Sequence, residues 1–581
     1  MSDTRTGEVQ HLRLRESQIF LALSIIIGIL AGLVAVLFSL AIDRADYALF
    51  GFEPSSLRTF LVPVLVSLAT GVLLATVFRG ARGSGVPQTK AAFHLQGGAI
   101  PIRVPLGKFI MGTLCIGSGH SMGREGPSVQ IGAGIASAIG RWLRLSPARI
   151  KELIPVGAAG ALAAAFNTPI AAVLFALEEI IGNMNATLLG STVVASVAAV
   201  VVQRSILGNE PLFRVPEYAL EHPAELIGYA VLGVVGGLMS LAFCKSLLAL
   251  RLRFRRLPTW TVMLQPAMGG VAIGATLLFV PEVKGVGYDY IDQALNGGLV
   301  MQTMIVLCVV KLAATVVSYC SGNAGGIFAP TLYIGAMAGG VIGMIVNSIA
   351  PFPTGAPGAY ALVGMGALFA GIIRAPLTSV FMIFEITQDY QILVPLMVAN
   401  LLSFAISRRY QPVPIYEALL HQDQIHLPSG ALRESAGWTA RDIMNAEAPS
   451  FLAAGQSVDE AWEATGPDRG LAYLVGTRQS MRGIVTPERL AEVRAAGRGG
   501  DTVQSMLDET FVHVHSDHSL DVVLVRFAQG AGLLPVVSRT ALRVEGVITI
   551  DEITRFARPK KSRRPAATPA AAPDPTEPPS V

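Results

Sequence analysis

Glu125 is the side chain whose setting asks for chemistry. It lies in GSGHSMGREGPSVQ (Gly117 to Gln130), and from Val104 to Gly140 the only acidic, basic or histidine side chains are Lys108, His120, Arg124 and Glu125. Pro127 fixes its own φ and disfavours the helical region for Gly126, which predicts a helix beginning at Pro127 with Glu125 just ahead of it. At such an end, unsatisfied amide hydrogens and the helix dipole favour negative charge, and Gly123 and Gly126 let the backbone approach an ion closely. A carboxylate there is a tethered competitor for a mobile anion: ionised it fills the site, protonated it can swing away. Glu125 is therefore a candidate gate and proton carrier. The competing reading is a structural Arg124–Glu125 pair, although adjacent helical residues rarely face each other.

Two more glycine-rich elements fit the same chemistry. In GSGVP (Gly83, Ser84, Gly85, Val86, Pro87) the Ser84 hydroxyl can donate to an anion. In GGIFAP (Gly325 to Pro330) the amides of Ile327 and Phe328 precede a helix expected to start at the proline. Neither carries a fixed positive charge, which suits an ion that must bind well enough to shed water and weakly enough to leave.

The elements that position these residues must sit in a bilayer. The 581 residues are 52% hydrophobic and 14% charged, with mean hydropathy +0.54, far more apolar than a soluble chain. Uncharged runs long enough to span recur at Ile19 to Ile42, Thr59 to Phe78, Leu153 to Leu177, Ile180 to Val202 and Leu226 to Cys244. Leu312 to Ile373 is uncharged as well, yet Gly and Pro interrupt it too often for one helix; backbone broken at membrane depth must face protein or a watery cavity. Arg5, Arg13 and Arg15 before the first span and Arg408, Arg409 and a basic tail after the last place both ends in the cytoplasm, with an even number of crossings. Met1 to Ser17 mixes acidic and basic residues and does not read as a secretory leader. Cys115, Cys244, Cys308 and Cys320 sit in apolar segments without CxxC or Cys/His spacing, so they read as buried small residues. A net charge of +4 gives no case for nucleic acid.

After about Tyr410 the texture becomes that of a soluble region. Two similar blocks run from ARDIM (Ala440 to Met444) to GIVTPERL (Gly483 to Leu490) and from TVQSML (Thr502 to Leu507) to GVITIDEI (Gly546 to Ile553). Their layout resembles a tandem pair of CBS domains, and beyond Arg558 a Pro- and Ala-rich tail has no core-forming pattern. The membrane part repeats internally: Gly157 to Glu178 aligns with Gly364 to Glu385 at an offset of 207, matching Gly157/Gly364, Ala163/Ala370, Pro169/Pro376, Val173/Val380 and Glu178/Glu385. Two homologous halves with the site between them are a usual transporter plan.

GSGVP, GREGP, GGIFAP and the PIYEALL segment holding Tyr416, in that order in one polytopic chain, resemble the CLC family of chloride channels and proton-coupled chloride transporters. The resemblance covers roughly residues 18–420. It implies an all-α polytopic membrane protein of two inverted halves of tilted and broken helices, followed by a cytoplasmic α/β CBS pair. Expected boundaries are 1–17 cytoplasmic, 18–420 transport domain, 421–439 linker, 440–498 and 499–557 CBS domains, and 558–581 disordered tail. It further implies a homodimer with a separate path in each subunit, in a bacterial inner membrane. Chloride and protons are the substrates, and no cofactor is required. By motif, Ser84 and Tyr416 supply hydroxyls to a central chloride and the amides of Ile327 and Phe328 complete it. Glu125 is the external gate, and Gly83, Gly85, Gly123, Arg124, Gly126 and Pro127 shape the path.

Both passive channels and exchangers occur in that family, and the exchangers carry a second glutamate after a run resembling NTPIAAVLFALEE, here ending Glu178-Glu179. Glu178 has the counterpart Glu385 and reads as structural, whereas Glu179 faces Ile386, so Glu179 is assigned to proton transfer; its other reading is a solvated helix end. A chloride/proton antiporter is the expectation, with a gated passive channel as the alternative. His120 reads as a hydrogen-bonded core residue or as a modifier of the gate, Lys108 and Lys311 as a source of positive potential or as markers of membrane edges. Thr549 and Glu552 partly match the Thr and acidic pair with which CBS domains bind adenine nucleotide, while Thr486 is followed by Arg489; a purely structural module is the other reading. No HExxH and no GxSG is present, which removes the intramembrane protease reading.

Overall fold

The computed structural model describes residues 2–182, 186–213, 215–216, 218, 220–427, 438–446, 451–465, 472–507, 511–527, 532–539 and 543–557, with side chains from Gln18 onward except 186–187, 521 and 554–557. The chain divides into two compact units, Met1–Leu427 and Pro428–Val581. The expected disordered tail and most of the expected linker lie outside the described residues.

The first unit is helical throughout. Its first half holds α1 (Ser2–Phe50), α2 (Ser56–Thr76), α3 (Val86–Leu95), α4 (Arg103–Gly117), α5 (Glu125–Trp142), α6 (Pro147–Phe166), α7 (Pro169–Phe175) and α8 (Ala186–Leu207). Its second holds α9 (Glu225–Arg255), α10 (Gln265–Phe279), α11 (Tyr288–Leu295), α12 (Met301–Cys320), α13 (Phe328–Ile349), α14 (Pro357–Ile373), α15 (Pro376–Thr387), α16 (Leu393–Tyr410) and α17 (Ile415–Gln422). By length and hydropathy, six helices among the described residues can cross a membrane, from Gln18–Phe50 to Phe328–Ile349.

The apolar run Leu153 to Leu177 does not form one span. Asn167 takes the left-handed conformation at φ +59° and Pro169 starts α7, so α6 ends within the apolar run. The second half repeats this break: Arg374 lies at φ +72° and Pro376 starts α15. The long uncharged stretch from Leu312 is divided among α12, α13 and α14, as its glycines and prolines predict.

The two halves pack alike. Helices α5 and α6 cross where Gly132 meets Gly157, and α13 and α14 where Gly335 meets Gly364; a Cβ on Gly132 would strike the Gly157 carbonyl, and one on Gly335 the Gly364 carbonyl. Only glycine permits backbones this close. Glu178 accepts from Leu377 N (3.2 Å), Thr378 N (2.8 Å) and Thr378 Oγ1 (2.7 Å) at the start of α15, while Glu385 accepts from Ile170 N (2.9 Å) and Ala171 N (2.7 Å) at the start of α7. Each half thus caps a helix of the other, the reciprocity of two inverted repeats.

The second unit holds β1 (Phe451–Leu452), β2 (Tyr473–Thr477) and β3 (Ser480–Val485), with β1 parallel and β3 antiparallel to β2, then β4 (Leu533–Val537) and β5 (Val544–Thr549) as an antiparallel pair. Val514 bridges in parallel to Val536, so the second block repeats the strand pattern of the first. Each block closes with a helix, Pro487–Ala495 and Ile550–Ala557.

Candidate functional site

Three broken segments converge at the centre of the first unit. The N–H of Gly123 donates to Gly326 O at 2.8 Å and the N–H of Gly326 returns to Gly123 O at 2.8 Å, while Gly83 donates to Asn323 O (3.2 Å) and Gly325 to Gly83 O (3.2 Å). The GSG, GREGP and GGIFAP segments are therefore bonded to one another by backbone, which satisfies polar groups that no water reaches. The Gly123–Gly326 exchange lies where the halves meet.

Helix starts differ from the sequence expectation. The α5 helix begins at Glu125 and α13 at Phe328, two residues ahead of Pro127 and Pro330. The first turn of a helix has no intrahelical acceptors for its N–H groups, so a proline in it removes no bond. Glu125 is consequently the first residue of α5 rather than a loop residue before it. Its fully buried carboxylate reaches across to the start of α13: Oε2 accepts from Ala329 N at 3.4 Å, and Oε1 from the Tyr288 hydroxyl at 2.5 Å.

The structural Arg124–Glu125 pair is not formed. Arg124 donates to Ser39 Oγ, and its guanidinium carbon lies 5.3 Å from the centre of the Tyr288 ring. Glu125 is held by neutral donors.

Ser84 and Tyr416 come together, although they are far apart in sequence. Both are fully buried, their hydroxyls adjoin, and neither hydroxyl has a well-formed hydrogen bond. Buried polar atoms usually have a hydrogen-bond partner, so this pair can take one. Ser84 Oγ also faces Gly126, where a Cβ would lie 2.6 Å from it, so the hydroxyl pair lies beneath the first turn of α5. Ile327 and Phe328 stand at the head of α13 with first-turn amides open, and the Phe328 ring packs among Phe166, Phe175 and Phe369 at 4.5 to 5.7 Å between ring centres. On one side a cavity of about 680 Å³ reaches Arg124 and Tyr288; on the other a cavity of about 420 Å³ reaches Gly83 and Tyr319.

Glu179 is not a solvated helix end. It sits, buried, in a π-helical turn, Ala176–Ile181, and Lys90 Nζ lies 2.7 Å from its Oε1 and 3.2 Å from Glu417 Oε1. Such wide turns often mark functional positions. Lys90 is on α3, the helix headed by GSGVP, and Glu417 follows Tyr416 on α17. Thus the elements carrying the Ser84 and Tyr416 hydroxyls also hold Glu179.

Lys108 and Lys311 are bound to backbone carbonyls inside the first unit. Lys108 donates to Gly83 O at 2.7 Å, and Lys311 donates to Val283 O at 3.0 Å and Gly285 O at 2.8 Å; both are fully buried. His120 is a packed core residue, fully buried between Ser67 Oγ (2.5 Å) and Ser318 Oγ (3.3 Å). The four cysteines are buried and free. In the second unit, Glu552 Oε2 accepts from Thr549 N at 2.9 Å and from the Thr549 hydroxyl, so these residues bond one another at a helix start.

Sequence reading missed Tyr288, Lys90 and Glu417. A second repeat in the sequence matches Ser118/Ser321, Gly119/Gly322, Gly123/Gly326, Pro127/Pro330 and Lys108/Lys311 at an offset of 203, but it reaches none of these three. Gly119 and Gly322 share φ +92°.

Residues 64–408 match the family model described as voltage gated chloride channel. The chain belongs to this family, the CLC family. It is similar to the H(+)/Cl(-) exchange transporter ClcA of Vibrio cholerae serotype O1 (strain M66-2), 33% identical over 421 residues that cover 69% of this chain and 89% of that one. Among solved CLC structures, a slow cyanobacterial Cl-/H+ antiporter gives a TM-score of 0.63 at 28% identity over 70% of this chain and 97% of that one. A eukaryotic CLC transporter shares the fold over 93% of this chain and 98% of its own, with a TM-score of 0.62 at 21% identity.

Proposed function

We propose that the protein is a secondary active chloride/proton antiporter with one path in each subunit of a homodimer. The observation that carries this reading is the buried Glu125 carboxylate at the head of α5, bonded to neutral donors directly above two buried hydroxyls without well-formed bonds. Chloride binds between the hydroxyls of Ser84 and Tyr416 and the first-turn amides of Ile327 and Phe328. A second chloride competes with the Glu125 carboxylate for the donors above. Protonation weakens the hold of those donors on Glu125, the side chain leaves, and the anion path opens; deprotonation on the other side closes it.

Glu179 supports exchange over passive conduction. Lys90 with Glu179 and Glu417 sums to one excess negative charge, which one proton neutralises. A buried group of that charge is a proton site, and an open channel has no need of it. The similarity to a named exchange transporter points the same way.

The orientation expected from flanking arginines puts both termini in the cytoplasm and Glu179 on the inner side. The second unit we read as a CBS pair with a structural role, because Thr549 and Glu552 are engaged with each other and Thr486 caps the N–H of Arg489. Purified protein in liposomes with an imposed chloride gradient tests the main reading. Protons should move uphill, and dissipation of the gradient without proton movement at neutral pH would establish the passive channel instead.

A further inference from the structure

Tyr288 belongs to none of the four motifs, yet its hydroxyl makes the shortest bond to Glu125 given above. Its position comes from a loop, Gly285-Val286-Gly287, that is the inverted mate of Gly83-Ser84-Gly85. Both glycines of each loop are left-handed, at φ +55° and +83° in one and +76° and +103° in the other. In each loop the carbonyl of the first glycine takes a buried ammonium, from Lys311 (2.8 Å) or Lys108 (2.7 Å). The two loops are thus the same device used twice. One presents the hydroxyl of Ser84 to the central site; the other ends at Tyr288, the first residue of α11.

The Tyr288 ring is fixed where it stands. Arg124 lies over it at 5.3 Å and Phe213 meets it edge-on at 5.6 Å, while Gly287 sets the entry of the chain. Its side lines the cavity of about 680 Å³. When Glu125 leaves, the phenolic O–H and the N–H of Ala329 stay behind, pointing at the place the carboxylate held. Two donors that converge on one carboxylate also converge on one halide.

We propose that the Tyr288 hydroxyl is a ligand of an outer anion site, binding the Glu125 carboxylate when the gate is in and a chloride when it is out. The site takes small monovalent anions that accept hydrogen bonds. This rests on reading Glu125 as the gate, and its test reads chloride binding rather than proton movement, so a passive channel with this site would still give the result.

Chloride titration by calorimetry on Glu125→Ala and on Glu125→Ala/Tyr288→Phe tests it. Loss of one hydrogen bond to an anion should weaken the outer site about tenfold while the central site is unchanged. Equal titrations for the two proteins would overturn the proposal. A second measurement needs no gate substitution: 3-fluorotyrosine at position 288 should show a fluorine resonance that moves, saturably, when gluconate is replaced by chloride. A resonance indifferent to chloride would also overturn it, including where the double variant fails to fold.

Discussion

Glu125 and Glu179 are both carboxylates buried in an apolar chain, yet the protein holds them in opposite ways. Glu125 has two neutral donors, a phenol and an amide, and its neighbouring arginine is turned to Ser39. Glu179 has a lysine at 2.7 Å that it shares with a second carboxylate. Neutral donors lose little when their anion is exchanged for another of equal charge, so they suit the alternation of glutamate and chloride proposed above. A buried ammonium would bind chloride too firmly to release it, and here it is paired with the Glu179 carboxylate at 2.7 Å.

This contrast is broken most directly at Glu125. Glu125→Gln should abolish coupled proton movement while chloride still crosses, read as proton uptake and chloride efflux in the same liposomes; retained coupling removes Glu125 from the proton route. Glu179→Gln should lose most proton movement yet keep gated chloride movement, because the Glu125 donors are untouched. Coupling at the unsubstituted level would return Glu179 to a structural role.

The lysine sharpens the comparison in stability. Lys90→Met removes the ammonium shared by the buried Glu179 and the partly exposed Glu417 and should cost about 3–5 kcal/mol, read as a lower Tm in detergent, with much of the loss recovered in Lys90→Met/Glu179→Gln. A Tm unchanged in the single variant would mean that the triad contributes nothing to folding. The smallest effect is expected at the reciprocal caps, where Glu178→Ala and Glu385→Ala should each lower stability by about 1–2 kcal/mol by similar amounts and leave coupling intact. Loss of coupling in Glu178→Ala alone would show that the two halves are not equivalent there.

Much of this was legible in the chain itself. The distribution of apolar runs set the membrane class, and GREGP, GSGVP and GGIFAP named the segments that meet, because glycine and proline in an uncharged stretch break helices wherever they fall. The 207-residue repeat makes Glu178 and Glu385 equivalent positions of the two halves, and each caps a helix of the other half. Helix starts were misplaced by two residues, since local proline rules ignore that a first-turn proline removes no bond. The run Leu153 to Leu177 read as one span because its hydropathy is continuous, and only Asn167 and Pro169 hint at the break.

What the sequence determined, then, is where the backbone must break and which polar residues lie beside the breaks, for those follow from local steric rules. What the tertiary structure decided is which groups face each other: that Tyr288 answers Glu125, that Arg124 does not, that Lys90 joins Glu179 to Glu417, and that Ser84 meets Tyr416. Those pairings span up to hundreds of residues, and desolvation inside a bilayer, which penalises buried polar groups left without partners, acts only once the two halves are packed together.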